Sequence, residues 1–211
     1  MGDGELVADQ RDTTAGPVLV LASASPRRAA LLARLGLHPE IRPTEVDETP
    51  LPGERPEALV TRLAATKARA ASLGDHEVVL AADTTVALEG VALGKPRDDA
   101  EAADMLQRLS GRTHQVHTAV AVRRDGQEVA ALATTEVTFR HLSAEEVAWY
   151  LATGEPHGKA GAYALQGAGA ALVTAIDGAD TTVIGLPLAT TVQLLRTVGL
   201  EVLSTRQPVR R

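Results

Sequence analysis

The 211-residue sequence contains no cysteine and few aromatic residues: one tryptophan, one phenylalanine and two tyrosines. Without cysteine there is no disulfide framework and no thiolate metal site. The scarcity of aromatic rings leaves no surface on which the bases of a single strand could stack. Lysine and arginine total 21 against 27 aspartates and glutamates, a net charge of −6. Because long nucleic acids are held mainly through their phosphates, we expect no long nucleic-acid partner.

The sequence also lacks an apolar segment of the ~20 residues that a membrane span needs. Residues 1–16 are rich in glycine, aspartate and threonine and have no apolar signal-peptide region. We therefore expect a cytoplasmic protein without membrane association. Hydrophobic residues make up 45% of the chain, which is ample for a core. The composition predicts one domain over residues 17–203, a disordered N-terminal extension over 1–16 and a C-terminal tail over 204–211.

Predicted strands and helices alternate along the chain, but hairpins interrupt the alternation. The clearest hairpin signal is Asp125-Gly126, between two segments of alternating polarity. These patterns predict an α/β fold with a mixed β-sheet and flanking helices, not a purely doubly wound fold. The predicted strands are Val18–Ala22, Glu40–Pro43, Val78–Leu88, Val91–Leu93, Thr113–Arg123, Glu128–Arg140 and Ala171–Ile176. The predicted helices are Pro26–Leu35, Pro56–Leu73, Asp98–Leu109, the segment from the Ser143 cap to Ala152, and Leu188–Val198.

Two arginines stand at the start of the first predicted helix. Ser25 is a suitable N-cap and Pro26 suits the first helical position, so Arg27 and Arg28 fall in the first turn. The helix macrodipole favours acidic residues there, and two cations are unfavourable unless an anion lies between them. Free N–H groups, hydroxyls and guanidinium groups together predict a phosphate site. An ordinary helix start with solvated arginines is the alternative.

Asp83 interrupts a long apolar segment, Val78–Leu88. A carboxylate in a strand buried on both faces needs a partner or a metal ion. The alternative is a strand end or bulge that exposes it. Lys67 shares a helix face with Leu59 and Leu63, and by itself this position favours a lysine that extends to solvent rather than into a cleft.

Further candidates lie in loops. Lys95 is in Gly-Lys-Pro after a hairpin strand, and Glu48 is in a proline-rich loop; taken singly, both read as exposed surface charges. The glycine-rich loop Gly154–Gly169 has neither Walker A nor dinucleotide-binding spacing. His114 and His117 are three residues apart in a predicted strand, so they face opposite sides and do not share a metal. Together, the four cations and the acids Glu48 and Asp83 suit a polyphosphate with Mg²⁺.

Several motifs in fixed order make the sequence recognisable over roughly residues 19–195. The sequence resembles the Maf family of nucleoside triphosphate pyrophosphatases. The motifs are Ser-Ala-Ser-Pro-Arg-Arg (23–28), Val-Asp-Glu (46–48), Arg-Leu-Ala-x-x-Lys (62–67), Ala-Ala-Asp-Thr (81–84), Gly-Lys-Pro (94–96), Ser-Gly-Arg-Thr-His-Gln-Val (110–116), Lys-Ala-Gly-Ala-Tyr-x-x-Gln-Gly (159–167) and Gly-Leu-Pro-Leu (185–188).

The resemblance implies a fold of two lobes around a central cleft, commonly dimeric and related to the inosine-triphosphate pyrophosphatases. It implies a hydrolase acting on acid anhydrides, which converts a nucleoside triphosphate and water to a nucleoside monophosphate and diphosphate. The implied cofactor is a divalent cation, Mg²⁺ or Mn²⁺, with Glu48 and Asp83 as its ligands. Asp83 matches the family's proton acceptor. The other matching site positions are Ser23, Arg28, Glu48, Lys67 and Lys95.

The resemblance also implies which nucleobase the protein selects, through three further positions. Arg27, Thr84 and Gln166 match those that set substrate choice in the dTTP/UTP subgroup, and a glutamine amide can pair with N3–H and a carbonyl of uracil or thymine. The sequence departs from the subgroup at Gly158, where an aspartate is usual, and His157 is a candidate to compensate. The expected role is removal of non-standard nucleotides. The alternative is a non-catalytic, nucleotide-binding regulator of septum formation.

Overall fold

The computed structural model describes residues 16–203, so the predicted tail and nearly all of the predicted N-terminal extension lie outside the described residues. The strands are β1 (Val18–Leu21), β2 (Glu40–Ile41), β3 (Glu77–Leu88), β4 (Val91–Leu93), β5 (Thr113–Arg124), β6 (Gln127–Phe139) and β7 (Val173–Asp177). The α-helices are α1 (Pro26–Ala33), α2 (Pro56–Ala70), α3 (Asp99–Leu109), α4 (Ala144–Ala152), α5 (Asp180–Ile184) and α6 (Leu188–Thr197).

The predicted elements are present, with shifts at their ends. Helix α2 ends at Ala70, before the predicted Leu73, because Ala71 adopts an extended backbone. Strand β7 begins at Val173 because Ala168–Leu172 form a 3₁₀ helix that the apolar pattern did not reveal. The short helix α5 was not predicted either. No helix among the described residues has the length and apolar content to cross a bilayer.

The seven strands form one mixed sheet, which confirms the predicted fold class. Its order is β2-β1-β3-β5-β6-β7, and β4 also pairs with β3. Strand β1 is parallel to β2 and β3, whereas β3, β5, β6 and β7 pair antiparallel in sequence. The Asp125-Gly126 turn joins β5 to β6 as predicted, with both residues at positive φ.

Three apolar clusters cover this sheet. Helix α2 packs on the first half of β3 and on the second half of β5 beside it, through small residues such as Ala64 and Ala81, which allow a close approach. The opposite face of that half is covered by residues of α1 and α6, including Leu31 and Leu195. The far half of the long strands packs against α3, α4 and Tyr163. Side chains midway along β3 therefore lie where these clusters meet.

A gap in the sheet opens beside the middle of β3. Strand β1 pairs with β3 only as far as Leu80, and β4 pairs with the same strand from Val86 to Leu88. Strand β5 covers the other edge continuously from Val79 to Ala87. Within residues 16–203, no strand pairs with the β1/β4 edge of β3 between Ala81 and Thr85. Side chains from both faces of β3 can reach a common space around this edge.

Gly161 fits the loop after α4 against β3. Its φ is +68°, and a Cβ there would lie 2.8 Å from Val86 Cγ2. We expect Gly161→Ala to lower the free energy of unfolding by about 1 kcal/mol for the left-handed backbone, plus about 1–3 kcal/mol for the overlap. Urea unfolding measures this loss. Gly126→Ala is the matched control, since its φ is +78° but nothing lies within 4 Å of its Cβ position. Equal losses in the two variants would contradict the steric contribution.

Candidate active site

A cleft of about 700 Å³ occupies the gap beside β3. Its walls come from the end of β1, the start of α1, the middle of β3, the loop before α2 and the loop after α4. All the site residues predicted from the sequence line this cleft: Ser23, Arg27, Arg28, Glu48, Lys67, Asp83, Thr84, Lys95 and Gln166. Residues that are more than a hundred positions apart in the sequence thus meet in one cavity.

Asp83 lies in the interior of β3 and is largely buried, with 13% of its side chain exposed. The alternative of an exposed strand end or bulge is therefore wrong. Lys67 Nζ lies 2.6 Å from Asp83 Oδ1 and 2.6 Å from Glu48 Oε1. The lysine side chain is only 11% exposed, so the expectation that it extends to solvent is also wrong. Helix α2 directs it to the carboxylate because the small residues of this face bring the helix close to β3.

The two carboxylates have opposite pKa shifts. Burial raises the pKa of Asp83, and the nearby charges of Lys67 and Arg28 only partly oppose this effect. Burial also acts to raise the pKa of Glu48, but the hydrogen bond and charge of Lys67, with Lys95, outweigh it and lower the pKa. Glu48 is half-exposed in its loop. Such divergent shifts in one cleft are typical of functional sites.

The start of α1 holds a half-buried guanidinium, that of Arg28. Arg28 Nε donates to Gly185 O at 2.9 Å, and its terminal nitrogens donate to Ser23 Oγ at 3.0 Å and Thr84 Oγ1 at 3.3 Å. Burial lowers the pKa of Arg28, and the carboxylate of Asp83 partly opposes this effect. Solvated arginine, the alternative from the sequence, is thus excluded for this residue. Its three partners are uncharged, so its positive charge stays available to an anion.

Ser25 is the N-cap residue of α1, as predicted, but its side chain makes no capping hydrogen bond. Its own N–H donates to Ser23 Oγ at 3.2 Å. The N–H groups of the first turn are therefore not capped by this side chain, and Arg27 in that turn faces the cleft. This leaves the positive end of the helix open to an anion.

Positive charge is concentrated in the cleft of an otherwise acidic protein. Lys95 is 63% exposed, and its Nζ lies 3.7 Å from Glu48 Oε2. Lys159, which was not among the predicted site residues, is half-buried there and donates to Glu155 O at 2.9 Å. Burial, with the charge of Arg27, lowers the pKa of Lys159. The lining contains two carboxylates and five cationic side chains: Arg27, Arg28, Lys67, Lys95 and Lys159.

The loop after α4 brings Gln166 to the cleft, where its side chain is exposed. Gly158 also lines the cleft, with a φ of +69° and open space at its Cβ position. His157 does not replace the missing carboxylate, because its Nε2 pairs with Asp99 Oδ1 of α3 at 3.0 Å. Thr84 lies behind Arg28, and its hydroxyl is also 2.9 Å from that of Thr118.

The donors in the cleft fit one kind of metal ion. Glu48 and Asp83 offer carboxylate oxygens, and no cluster of three or more potential ligands occurs between residues 16 and 203. Mg²⁺ and similar cations are commonly held by one or two carboxylates together with substrate phosphates and waters. The imidazoles of His114 and His117 have different partners, Tyr163 and Thr134, as expected for opposite strand faces.

A family model described as Maf-like protein matches residues 18–198. The chain belongs to the Maf family. A relative from Anaeromyxobacter dehalogenans strain 2CP-1, named dTTP/UTP pyrophosphatase, is 55% identical over 187 residues, which cover 87% of this chain and 95% of the relative. A relative from Nitrosomonas europaea with the same name is 48% identical over 204 residues, which cover 90% of this chain and 99% of the relative. The solved structure of a HAM1 protein from Coxiella burnetii matches with a TM-score of 0.44 at 21% identity. The match covers 58% of this chain and 73% of that one.

In this Maf-family protein, the pKa direction of Asp83 makes stability depend on pH. A carboxyl whose pKa is higher in the folded state stabilises the fold below the unfolded value of about 4, and this contribution is lost as pH rises through the folded value. We therefore expect Asp83→Asn to gain in free energy of unfolding relative to wild type as pH rises from 4 to 7. Urea unfolding across this range measures the difference, with exposed Asp75→Asn as control. A difference that falls as pH rises would contradict the raised pKa.

Proposed function

We propose that this protein hydrolyses the α–β phosphate bond of nucleoside triphosphates, dTTP and UTP in particular, to give a nucleoside monophosphate and diphosphate. The central observation is the buried Asp83 beside Lys67 in a cleft with an excess of cations. The names of the Anaeromyxobacter and Nitrosomonas relatives support the same activity and bases. In this proposal the enzyme is a nucleoside triphosphate diphosphatase that removes non-standard nucleotides.

The cations suit a triphosphate because they lie on separate segments of the cleft wall. Arg28 is held by neutral acceptors, so its charge is free to bind a phosphate oxygen. The first-turn N–H groups of α1, Lys95 and Lys159 line the same cavity. Charge-assisted hydrogen bonds from several directions would hold the three phosphates and expose the α-phosphorus. Ser23 contributes indirectly, because its hydroxyl accepts from Arg28 and Ser25.

Asp83 is the proposed proton acceptor. A water oxygen attacks the α-phosphorus, the bond from that phosphorus to the bridging oxygen breaks, and diphosphate leaves. The proton of the water passes to the Asp83 carboxylate, whose raised pKa makes it a better base than an ordinary aspartate. Lys67 keeps this carboxylate oriented through the 2.6 Å contact.

A divalent cation, Mg²⁺ or Mn²⁺, is the proposed cofactor, and Glu48 and Asp83 would hold it. When bound, such an ion neutralises phosphate charge and makes a coordinated water more acidic. In the structure, the Lys67 ammonium contacts both carboxylates. The positive charge of the ammonium thus partly compensates the negative charges of the two carboxylates.

Base choice is assigned to the loop after α4 and the start of α1. Gln166 can donate to a carbonyl and accept from N3–H of uracil or thymine. Arg27 shares the cleft with Gln166, whereas Thr84 would act through Arg28, which donates to the Thr84 hydroxyl.

The alternative function is a regulator that binds nucleotide without hydrolysing it. Such a regulator would need no buried proton acceptor, and no observation favours it. A cytoplasmic location and a homodimer stay predictions.

The identity of the first products tests the activity. We expect incubation of the protein with dTTP and Mg²⁺ to release dTMP and diphosphate, because the cleft suits attack at the α-phosphorus. Phosphate detection with and without added inorganic pyrophosphatase measures this directly. Asp83→Asn is expected to lower kcat about 10²–10⁴-fold, the usual contribution of a positioned general base. Exposed Asp75→Asn serves as the matched control.

Two results would contradict this assignment. Orthophosphate and dTDP as first products would place the attack elsewhere. A kcat above a tenth of the wild-type value in folded Asp83→Asn would show that this carboxylate is not essential. Nucleotide binding without turnover by the wild-type protein would instead favour the regulator.

The proposed role of Gln166 predicts a change in base preference. Gln166→Glu loses the amide donor but keeps an acceptor, so activity on dTTP and UTP should fall roughly tenfold or more. The inhibition constant of diphosphate should stay within about twofold, because the phosphate contacts are unaltered. A panel of dTTP, UTP, CTP, GTP, ATP and 7-methyl-GTP under one metal measures the preference. A wild-type preference for a purine would overturn the base assignment and leave the pyrophosphatase assignment intact.

A further inference from the structure

Glu155 and Tyr150 anchor the loop that carries Gln166. One carboxylate oxygen of Glu155 accepts from Ala168 N at 2.7 Å, and the other accepts from Gly169 N at 3.2 Å. The Tyr150 hydroxyl donates to this second oxygen at 3.1 Å and accepts from Ala164 N at 3.0 Å. The backbone is therefore held on both sides of Gln166. We refer to these two residues as the Glu155–Tyr150 pair.

The segment between the two anchor points is short and tightly fitted. Gly167 N donates to Ala164 O at 3.4 Å, which closes a turn around Gln166. A Cβ on Gly167 would overlap the Glu155 carboxylate. A Cβ on Gly169 would lie 2.6 Å from Ala164 O and 2.7 Å from the Tyr150 hydroxyl. The turn thus passes directly over the Glu155–Tyr150 pair, and its shape depends on these contacts.

The pair itself is fixed by the core. Tyr150 is fully buried in the apolar cluster of α3 and α4. Burial acts to raise the pKa of Glu155, but the N–H donors of Ala168 and Gly169 and the Tyr150 hydroxyl outweigh it, and the pKa is lowered. An ionised Glu155 accepts all three hydrogen bonds at neutral pH. No hydrogen bond between described residues engages the Gln166 amide, so its backbone turn determines where the amide can reach.

We infer that the Glu155–Tyr150 pair is a positioning device for base selection, which holds the turn so that the Gln166 amide meets the base edge. This inference rests on the proposed function. Neither residue of the pair is among those that line the cleft. The pair reaches the phosphate-binding cations only through the backbone carbonyl of Glu155, which accepts from Lys159 Nζ at 2.9 Å and which side-chain variants keep. The pair should therefore affect mainly which base is accepted, and not how the phosphates are bound. If the pair only stabilised the fold, its loss would not change base preference while leaving phosphate binding intact.

Two conservative variants test the inference. Glu155→Gln keeps the shape of the side chain but sets an N–H₂ group against backbone N–H donors. Tyr150→Phe keeps the buried ring and removes only the hydroxyl. Glu145→Gln, on the exposed start of α4, is the matched control for loss of one negative charge. Circular dichroism and thermal unfolding establish that each full-length variant is folded.

The readouts separate base selection from phosphate binding. The first is the ratio of kcat/KM for dTTP to kcat/KM for ATP, which we expect to fall at least about fivefold in both variants and to be unchanged in Glu145→Gln. The second is the inhibition constant of inorganic triphosphate, which should stay within about twofold. The third is a double-mutant cycle, in which either variant combined with Gln166→Ala lowers the ratio no further than Gln166→Ala alone.

Each contrary outcome has a defined meaning. Wild-type protein that releases no diphosphate from any nucleotide would overturn the proposed function and this inference with it. Active wild type with an unchanged ratio in both variants would overturn the inference alone. A further fall of the ratio in the Gln166→Ala background would do the same, because the pair would then act independently of Gln166. Failure of both variants to fold would assign the pair to fold stability and also overturn the inference.

Discussion

The burial of one carboxylate in the middle of a long strand is the constraint on which the site depends. Asp83 loses most of its hydration, and Lys67 of α2 compensates with a contact of 2.6 Å. This is possible because alanines on α2 and on the sheet let the helix approach β3 closely. An unpaired carboxylate there would be costly, whereas full neutralisation would remove its basicity. The raised pKa of Asp83 indicates that Lys67 and Arg28 compensate for burial only in part.

The gap between β1 and β4 turns this constraint into a binding site. Asp83 and Thr84 project to opposite faces of β3, yet both line one cleft because no described strand covers the edge between them. The end of β1 leads directly into α1, so the positive helix end and Arg28 open into the same gap. The cleft lining carries more cations than carboxylates although the whole chain has a net charge of −6. The net charge of the chain therefore does not indicate which sign of ligand the cleft binds.

The loop after α4 illustrates how an irregular segment acquires a defined shape. Its glycines allow close backbone approach, Tyr163 and Leu172 pack into the apolar cluster of α3 and α4, and polar groups hold the turn around Gln166. Glu155 and Tyr150 supply the acceptors that the backbone N–H groups of Ala164, Ala168 and Gly169 would otherwise lack. Gly158 has no side chain and His157 pairs with Asp99, so this part of the cleft wall has no acidic side chain.

Local patterns in the sequence determined most of the elements, because strand and helix periodicities and turn residues act over a few positions. The Asp125-Gly126 hairpin, Pro26 at the start of α1 and Ser143 as the N-cap of α4 are confirmed for this reason. Short α5 and the 3₁₀ helix Ala168–Leu172 carry too few residues for a periodic signal. Motifs in family order were enough to name the candidate site residues, but not their contacts. Only the tertiary structure decided that Lys67 is buried against Asp83, that Arg28 is held by Gly185, and that Glu155 supports the Gln166 turn. These contacts join distant segments, and their energies depend on burial, which no local pattern encodes.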